Sequence, residues 1–249
     1  MFPAALIIPC FNEAGRLDRA ELGRLAHAAE LRLILVDDGS SDATGDELRA
    51  IAAQAPSRIE VLALSGNRGK AEAVRAGMLR AMSGGAEVVG YLDADLATPV
   101  DEMLRLRHEL ESRGLEVVTG ARVAMVGSQI VRHPSRHYSG RVFATFASAI
   151  LRAPFYDTQC GAKLFRVSPA LRSALAEPFV SRWAFDIELL GRLLTGSDHV
   201  PLERLAEIPL RRWTDVPGSK LKLAAMLRTT AELIRIQRAL ARRREGRGS

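Results

Sequence analysis

Five short apolar runs punctuate the first half of the chain: AALIIP (4–9), LRLILV (31–36), IEVLAL (59–64), VVGYL (88–92) and LEVVTG (115–120). Runs of this length read as buried strands. Between them lie RLDRAELGRLAHAAE, SDATGDELRAIAAQ, KAEAVRAGMLRAMS and PVDEMLRLRHELES. Each of these repeats apolar residues near i, i+3, i+4 spacing and consists of good helix formers, which predicts amphipathic helices. Asp42 and Pro99 are helix-start signals. Strands alternating with helices imply βαβ units, hence an α/β fold with a mostly parallel central sheet and helices on both faces.

After residue 120 the rhythm breaks. Residues 122–139 read as a loop rich in Arg, His and Ser, followed by a helix over 137–152. A dense polar stretch, YDTQCGAKLFR, fills 156–166. A helix over 185–194 and a strand near 205–210 follow. A last helix over 221–242 puts Leu223, Leu227, Ile234 and Ala241 along one side, with Met226, Leu233 and Leu240 beside them. Arg228, Arg235, Arg238 and Arg242 fall on another side, so the helix is amphipathic with a basic face. The expected organisation is one domain over 1–218 and a basic helix and tail over 219–249.

Composition narrows the class. Of 249 residues 47% are hydrophobic, enough for a sizeable core. No run reaches the roughly 18–20 apolar residues needed to span a bilayer. The start, MFPAALIIPCFNE, lacks the basic region of a signal peptide and reads as a first strand. The two cysteines, Cys10 and Cys160, argue against a disulfide framework and fit a reducing compartment. The expected location is cytoplasmic, peripheral on the inner membrane face. The net charge of +6 is concentrated at the C-terminal end. The basic helix there has two readings: packed on the body with a solvated edge, or lying on an anionic membrane surface. Few aromatics interleave with these basic residues, and no nucleic-acid partner is expected.

Ligands of open α/β sheets bind outside the carboxyl ends of the strands. Three polar clusters fall at such ends: PCFNE (9–13), DDGSSD (37–42) and DAD (93–95). Asp93 and Asp95 lie one residue apart at the end of the fourth run, where alternation puts both on one side. Two such carboxylates repel unless a cation is near. A hard divalent ion, Mg²⁺ or Mn²⁺, meets that need and completes its shell with substrate phosphates. The alternative is a helix cap plus a solvated aspartate. A dinucleotide-binding domain is set aside because no G-x-G-x-x-G follows the first strand. Response-regulator receivers, suggested by LVDD, are about half this length.

In this order and spacing PCFNE, LVDDGSSDAT, NRGKAEAVRAGM and YLDADLATP resemble family 2 glycosyltransferases of the GT-A fold. GAR (120–122), DTQCGAKLFR (157–166), RWAFDIELL (182–190) and WTDVPGSKL (213–221) resemble the dolichyl-phosphate β-glucosyltransferases and their prokaryotic polyprenyl-phosphate relatives. The likeness spans roughly residues 4–223.

The resemblance implies a nucleotide-sugar donor site. Pro9, Phe11 and Glu13 border the base, with Phe11 standing where the family usually has Tyr. Asp37 and Asp38 hold base and ribose, and Asn67 and Lys70 lie near the nucleotide. Asp93 contacts ribose or metal, and Asp95 ligates the metal. Ala97 stands where some relatives place a further Gln ligand. Arg122, Arg132 and Arg136 are candidates for an acceptor phosphate, because guanidinium matches phosphate bidentately. Asp95, Asp157 and Asp186 are the candidate catalytic carboxylates. A hydroxyl acceptor needs a base from Asp157 or Asp186. A phosphate acceptor, with a second pKa of about 6, does not, and these aspartates then position groups.

The function implied is metal-dependent, inverting transfer of glucose from UDP-glucose to a polyprenyl phosphate. The alternatives are a transferase acting on a hydroxyl of a small molecule or glycan, and a non-catalytic nucleotide-sugar-binding protein.

Overall fold

The computed structural model describes residues 3–27, 31–131, 134–215 and 223–245, without the side chains of 134–142, 223–230 and 245. Five strands follow the apolar runs: β1 (Ala4–Cys10), β2 (Leu31–Asp37), β3 (Ile59–Ala63), β4 (Val88–Leu92) and β5 (Val117–Ala121). The intervening helices are α1 (Arg19–His27), α2 (Thr44–Ala52), α3 (Lys70–Ser83) and α4 (Val100–Ser112). Pro99 is the N-cap of α4, as its fixed φ suits. Asp42 precedes α2 and accepts the Thr44 amide at 2.9 Å.

The second half contributes β6 (Gln129–Val131), α5 (Pro134–Leu151), β7 (Ala162–Arg166), α6 (Pro169–Ala176), α7 (Phe185–Leu194), β8 (Leu205–Pro209), β9 (Arg212–Thr214) and α8 (Leu223–Glu245). The expected loop over 122–139 is therefore shorter: it contains β6, and α5 begins at Pro134, a residue well suited to a first helical turn. The polar stretch 156–166 ends in a strand. β7 runs antiparallel between β4 and β5, giving the order β3-β2-β1-β4-β7-β5-β8. β6 and β9 form a separate parallel pair.

The alternation of side chains along β1 sorts the core into two layers. Ala5 and Ile7 pack with residues of α3, α5, α6, α7 and α8, while Ala4, Leu6, Ile8 and Cys10 pack with residues of α1, α2 and α4. Gly77 lets α3 approach closely, since a Cβ there would meet Ile7 Cγ2 at 2.7 Å and Val36 Cγ2 at 3.0 Å. Truncating a fully buried side chain such as Ile7 to Ala costs about 2–5 kcal/mol.

The described part of α8 joins the first layer through Leu233, Ile236 and Leu240. Ile234, expected on its apolar side, is exposed. The buried stripe is thus rotated from the predicted one, because α8 must fit against Gly191 of α7, where Leu240 occupies the space a side chain would need. Arg235, Arg238 and Arg242 are exposed on the other side. No helix among the described residues is long and apolar enough to cross a membrane.

Candidate active site

β1 pairs with β2 on one side and β4 on the other, both parallel. The connections leave in opposite directions, so the carboxyl ends of β1 and β4 flank a crevice at a topological switch point. The polar clusters meet there.

One wall is made by the loops after β1 and β2. Phe11 is 42% exposed just after β1, free to offer its ring face. Pro9 lies within β1. Asn12 takes a left-handed conformation, φ 54°. Its side-chain oxygen accepts the Ser41 amide at 2.9 Å, tying the loop after β1 to that after β2. Asp37 accepts the Ser40 amide at 2.9 Å. Gly39, at φ 68°, passes so close to the Gly66 backbone that no side chain fits. Asp38 directly follows β2. It is 2% exposed, and its two oxygens accept the amides of Arg68 at 2.7 Å and Gly69 at 2.8 Å. It thereby fixes the loop ahead of α3. Asn67 on that loop accepts from Arg182 Nη2 at 2.5 Å.

The floor is acidic. Asp93 follows β4, and its Oδ1 lies 2.6 Å from Lys70 Nζ at the start of α3. Burial disfavours the Asp93 charge, but Lys70, Lys163 and Arg122 together hold its carboxyl below the usual range. Asp95 accepts the Ala97 amide at 3.1 Å. Burial and then the charge of Asp93 push the Asp95 carboxyl up. Glu13 is half-buried with Arg16 at 3.3 Å. Burial raises its carboxyl; Arg16 opposes, and Asp95, Asp42 and Asp93 add to the rise. Asp95 and Glu13 are therefore left short of positive charge beside Asp93, an environment that favours a cation. Among the described residues no three His, Cys, Asp or Glu side chains form a metal shell of their own. Mg²⁺-type sites need only one or two carboxylates with substrate phosphates, and the oxygen donors of Asp93 and Asp95 fit that chemistry.

The far wall comes from the second half. The Gly161 carbonyl accepts the Asp93 amide at 3.1 Å, and the Asp93 carboxylate lies where a side chain at 161 would be. Four residues earlier, Asp157 receives Arg122 through Nε at 2.6 Å, Nη2 at 2.7 Å and the backbone amide at 3.0 Å. The Arg122 guanidinium lies 5.3 Å from the ring centroid of Trp213 on β9, within cation–π reach. Arg132 and the side chain of Arg136 lie outside the described residues.

Asp186 lies in the first turn of α7. It is 4% exposed and accepts from Lys163 Nζ at 2.7 Å and from the Tyr91 hydroxyl. Lys163, on β7, is completely buried and also donates to the Cys160 carbonyl at 2.6 Å. The pair ties α7 to β7 and β4. Trp183, three residues before Asp186, is 54% exposed.

Sequence reading missed Lys163, Arg182, Trp213 and Glu207. Glu207, on β8, accepts the amides of Tyr156 and Asp157 at 2.6 Å each. Only a buried-lysine position in an otherwise strand-like AKLFR carried any local signal.

A sequence model described as Glycosyl transferase family 2 matches residues 5–171. A dolichyl-phosphate beta-glucosyltransferase of Dictyostelium discoideum is 31% identical over 94% of this chain and 73% of its own length. One from Saccharomyces cerevisiae is 29% identical over 88% of this chain and 69% of its own. Among solved structures, glucosyl-3-phosphoglycerate synthase from Mycobacterium tuberculosis, in complex with Mg²⁺ and UDP, superposes with a TM-score of 0.67. It is 17% identical, over 96% of this chain and 79% of that one, a likeness of fold.

Proposed function

The chain belongs to glycosyl transferase family 2, and from that premise we propose that it moves glucose from UDP-glucose to a polyprenyl phosphate. The names of its relatives support the sugar and the lipid phosphate. The observation that carries the acceptor class is the engagement of both second-half aspartates by cations, Asp157 by Arg122 and Asp186 by Lys163. A hydroxyl acceptor needs a carboxylate base facing it. A phosphate acceptor is already largely dianionic near neutrality and needs a guanidinium instead.

In this reading Phe11 stacks on the base, and Pro9, Glu13 and Asp37 shape its surroundings with Asn67. Lys70 at the N-terminus of α3 faces the diphosphate, where the helix dipole also favours negative charge. Asp95, with Asp93 beside it, would hold Mg²⁺ or Mn²⁺. When bound, such an ion supplies Lewis-acid stabilisation of the departing diphosphate. Arg122, with Arg132 and Arg136 as further candidates, orients the acceptor phosphate. An acceptor oxygen attacks the anomeric carbon from the face opposite the diphosphate. The C1–O bond to UDP breaks with its electron pair leaving on UDP, and the new C1–O–P bond forms with inversion. No protein group removes a proton. The exposed Arg235, Arg238 and Arg242 of α8 support contact with an anionic membrane surface, where such an acceptor resides.

The test is transfer of labelled glucose from UDP-glucose, with Mg²⁺ or Mn²⁺, to a short-chain polyprenyl phosphate. Label extracted into the organic phase by wild type and not by Asp95→Ala supports the whole reading. Release of UDP without lipid product discards the acceptor. Absence of turnover across a nucleotide-sugar panel discards the enzyme in favour of a binding protein.

A further inference from the structure

The arginine clamp on the acceptor side hangs from a residue that no motif announces. Residues 152–161 connect α5 to β7 without helix or strand of their own. Within that connection two consecutive backbone amides, Tyr156 and Asp157, converge on one carboxylate, Glu207. Successive amides turned toward one anion form a nest, and the nest fixes the backbone dihedrals on which the Asp157 side chain is mounted. Asp157 in turn takes Nε and Nη2 of Arg122 and also its backbone amide. The Trp213 ring, 8% exposed, backs the guanidinium. β8 lies beside β5, with Glu207 in register with Thr119, three residues before Arg122.

We propose that Glu207 is a positioning residue of the transfer reaction: it holds the Tyr156–Asp157 backbone so that Asp157 aims Arg122 at the acceptor phosphate. This rests on the acceptor reading given above. Glu207 is not a catalytic residue, since it reaches the site only through Asp157. Its carboxylate is retained against opposition. Burial raises the carboxyl above its usual range and the charge of Asp157 adds to the rise, while the two amides and Lys163 resist it. A carboxamide cannot replace it, because glutamine offers one acceptor oxygen to two amides and sets its own NH₂ against the second. The effect is directional within the site. The loops after β1 and β2 and the start of α3 make no bond to Glu207 among the described residues, and Asp93 meets the same connection at Gly161, outside the Tyr156–Asp157 pair that Glu207 holds.

The experiment uses the full chain with Glu207→Gln. It measures the KM for a short-chain polyprenyl phosphate, kcat, the Kd for UDP with Mg²⁺ and amide exchange over 154–160. Misaiming of one positioning group costs about ten- to a hundredfold. The expected result is an acceptor KM raised about tenfold or more, a UDP Kd within twofold of wild type, and faster exchange confined to 154–160. In an Arg122→Lys background the same substitution adds little, since the two act in series. Glu207→Asp, which keeps the charge with a shorter reach, gives an intermediate KM and serves if the glutamine variant fails to fold. An unchanged acceptor KM, or a UDP Kd weakened as much as the acceptor, overturns the part given to Glu207. A wild-type enzyme that binds UDP yet glucosylates no polyprenyl phosphate overturns instead the acceptor reading, and with it the phosphate target of Arg122.

Discussion

Lys70 and Asp93 form an ion pair of 2.6 Å across the crevice, joining the first turn of α3 to the end of β4. Each keeps the other charged. Burial works against the Lys70 ammonium, yet Asp93, Asp186 and Asp95 hold it above its usual range. Burial works equally against Asp93, which Lys70 leads in holding low. The pair therefore keeps one carboxylate of the D-x-D ionised while its neighbour, Asp95, is left short of positive charge.

Lys70→Met is expected to move the acid limb of the kcat/KM profile to higher pH. In the wild type Asp93 stays ionised to below the usual carboxylate range. Without Lys70, burial still pushes its pKa up and only Lys163 and Arg122 remain to oppose it, so Asp93 protonates at higher pH. Loss of a charged hydrogen-bond donor to the donor substrate adds a fall of about tenfold or more at all pH values. A pH-rate series on both proteins checks this. An acid limb that stays in place or moves down removes Lys70 from control of Asp93.

A divalent cation should stabilise the protein, and Asp95 should carry the effect. At a hundredfold excess over Kd a bound ion contributes about 2.7 kcal/mol, roughly 5–10 °C in Tm for a chain of this size. Asp95→Asn should abolish most of that shift. It should also make the ion-free protein more stable than wild type near neutrality. The sign follows from the raised Asp95 carboxyl: a group whose folded pKa lies above its unfolded value loses its contribution as pH rises through the folded pKa. Differential scanning fluorimetry with and without Mg²⁺ reads both effects. Equal Mg²⁺ shifts in the two proteins place the ion elsewhere.

The rim formed by the loops after β1, β2 and β4 was legible because it is local. PCFNE, DDGSSD and DAD each lie directly after an apolar run, so reading the strands located the rim. β7 was hidden for two reasons. Its pairing with β4 and β5 is antiparallel and non-local, which no periodicity records. Its Lys163 reads as polar although it is wholly buried against Asp186. Asp38 and Asp186 look like ligand groups by type, and only burial shows them turned to backbone amides and to a lysine. Glu207 sits among the apolar residues of β8 and gains meaning only from a loop fifty residues earlier.

Asp186→Asn tests that last distinction by stability. Removing one partner of a buried pair leaves the other charge uncompensated, at about 3–5 kcal/mol. Denaturant unfolding should show a loss of that size. Lys163→Met with Asp186→Leu, which removes both charges, should recover most of it. A stable Asp186→Asn protein with activity lost outright would return Asp186 to the catalytic group.

Gly161→Ala should separate folding from donor binding. A Cβ at 161 overlaps the Asp93 carboxylate, whereas the backbone there carries no left-handed strain. The substitution therefore acts on one side chain. Asp93 must turn away, Lys70 loses its partner, and the D-x-D geometry opens. Displacing a positioning group by about 1 Å costs on the order of a hundredfold in rate. UDP affinity measured by calorimetry with Mg²⁺ should fall steeply while the melting temperature changes by only a few degrees. Gly23→Ala is the control. It lies within α1, where the nearest atom to a new Cβ is Gln54 Oε1 at 3.9 Å, and alanine favours a helix by about 1 kcal/mol. It should be at least as stable as wild type with unchanged UDP affinity. If Gly161→Ala binds UDP normally, the Asp93 carboxylate does not depend on the open space at 161, and the contact between β4 and the 157–161 loop has no part in the donor site.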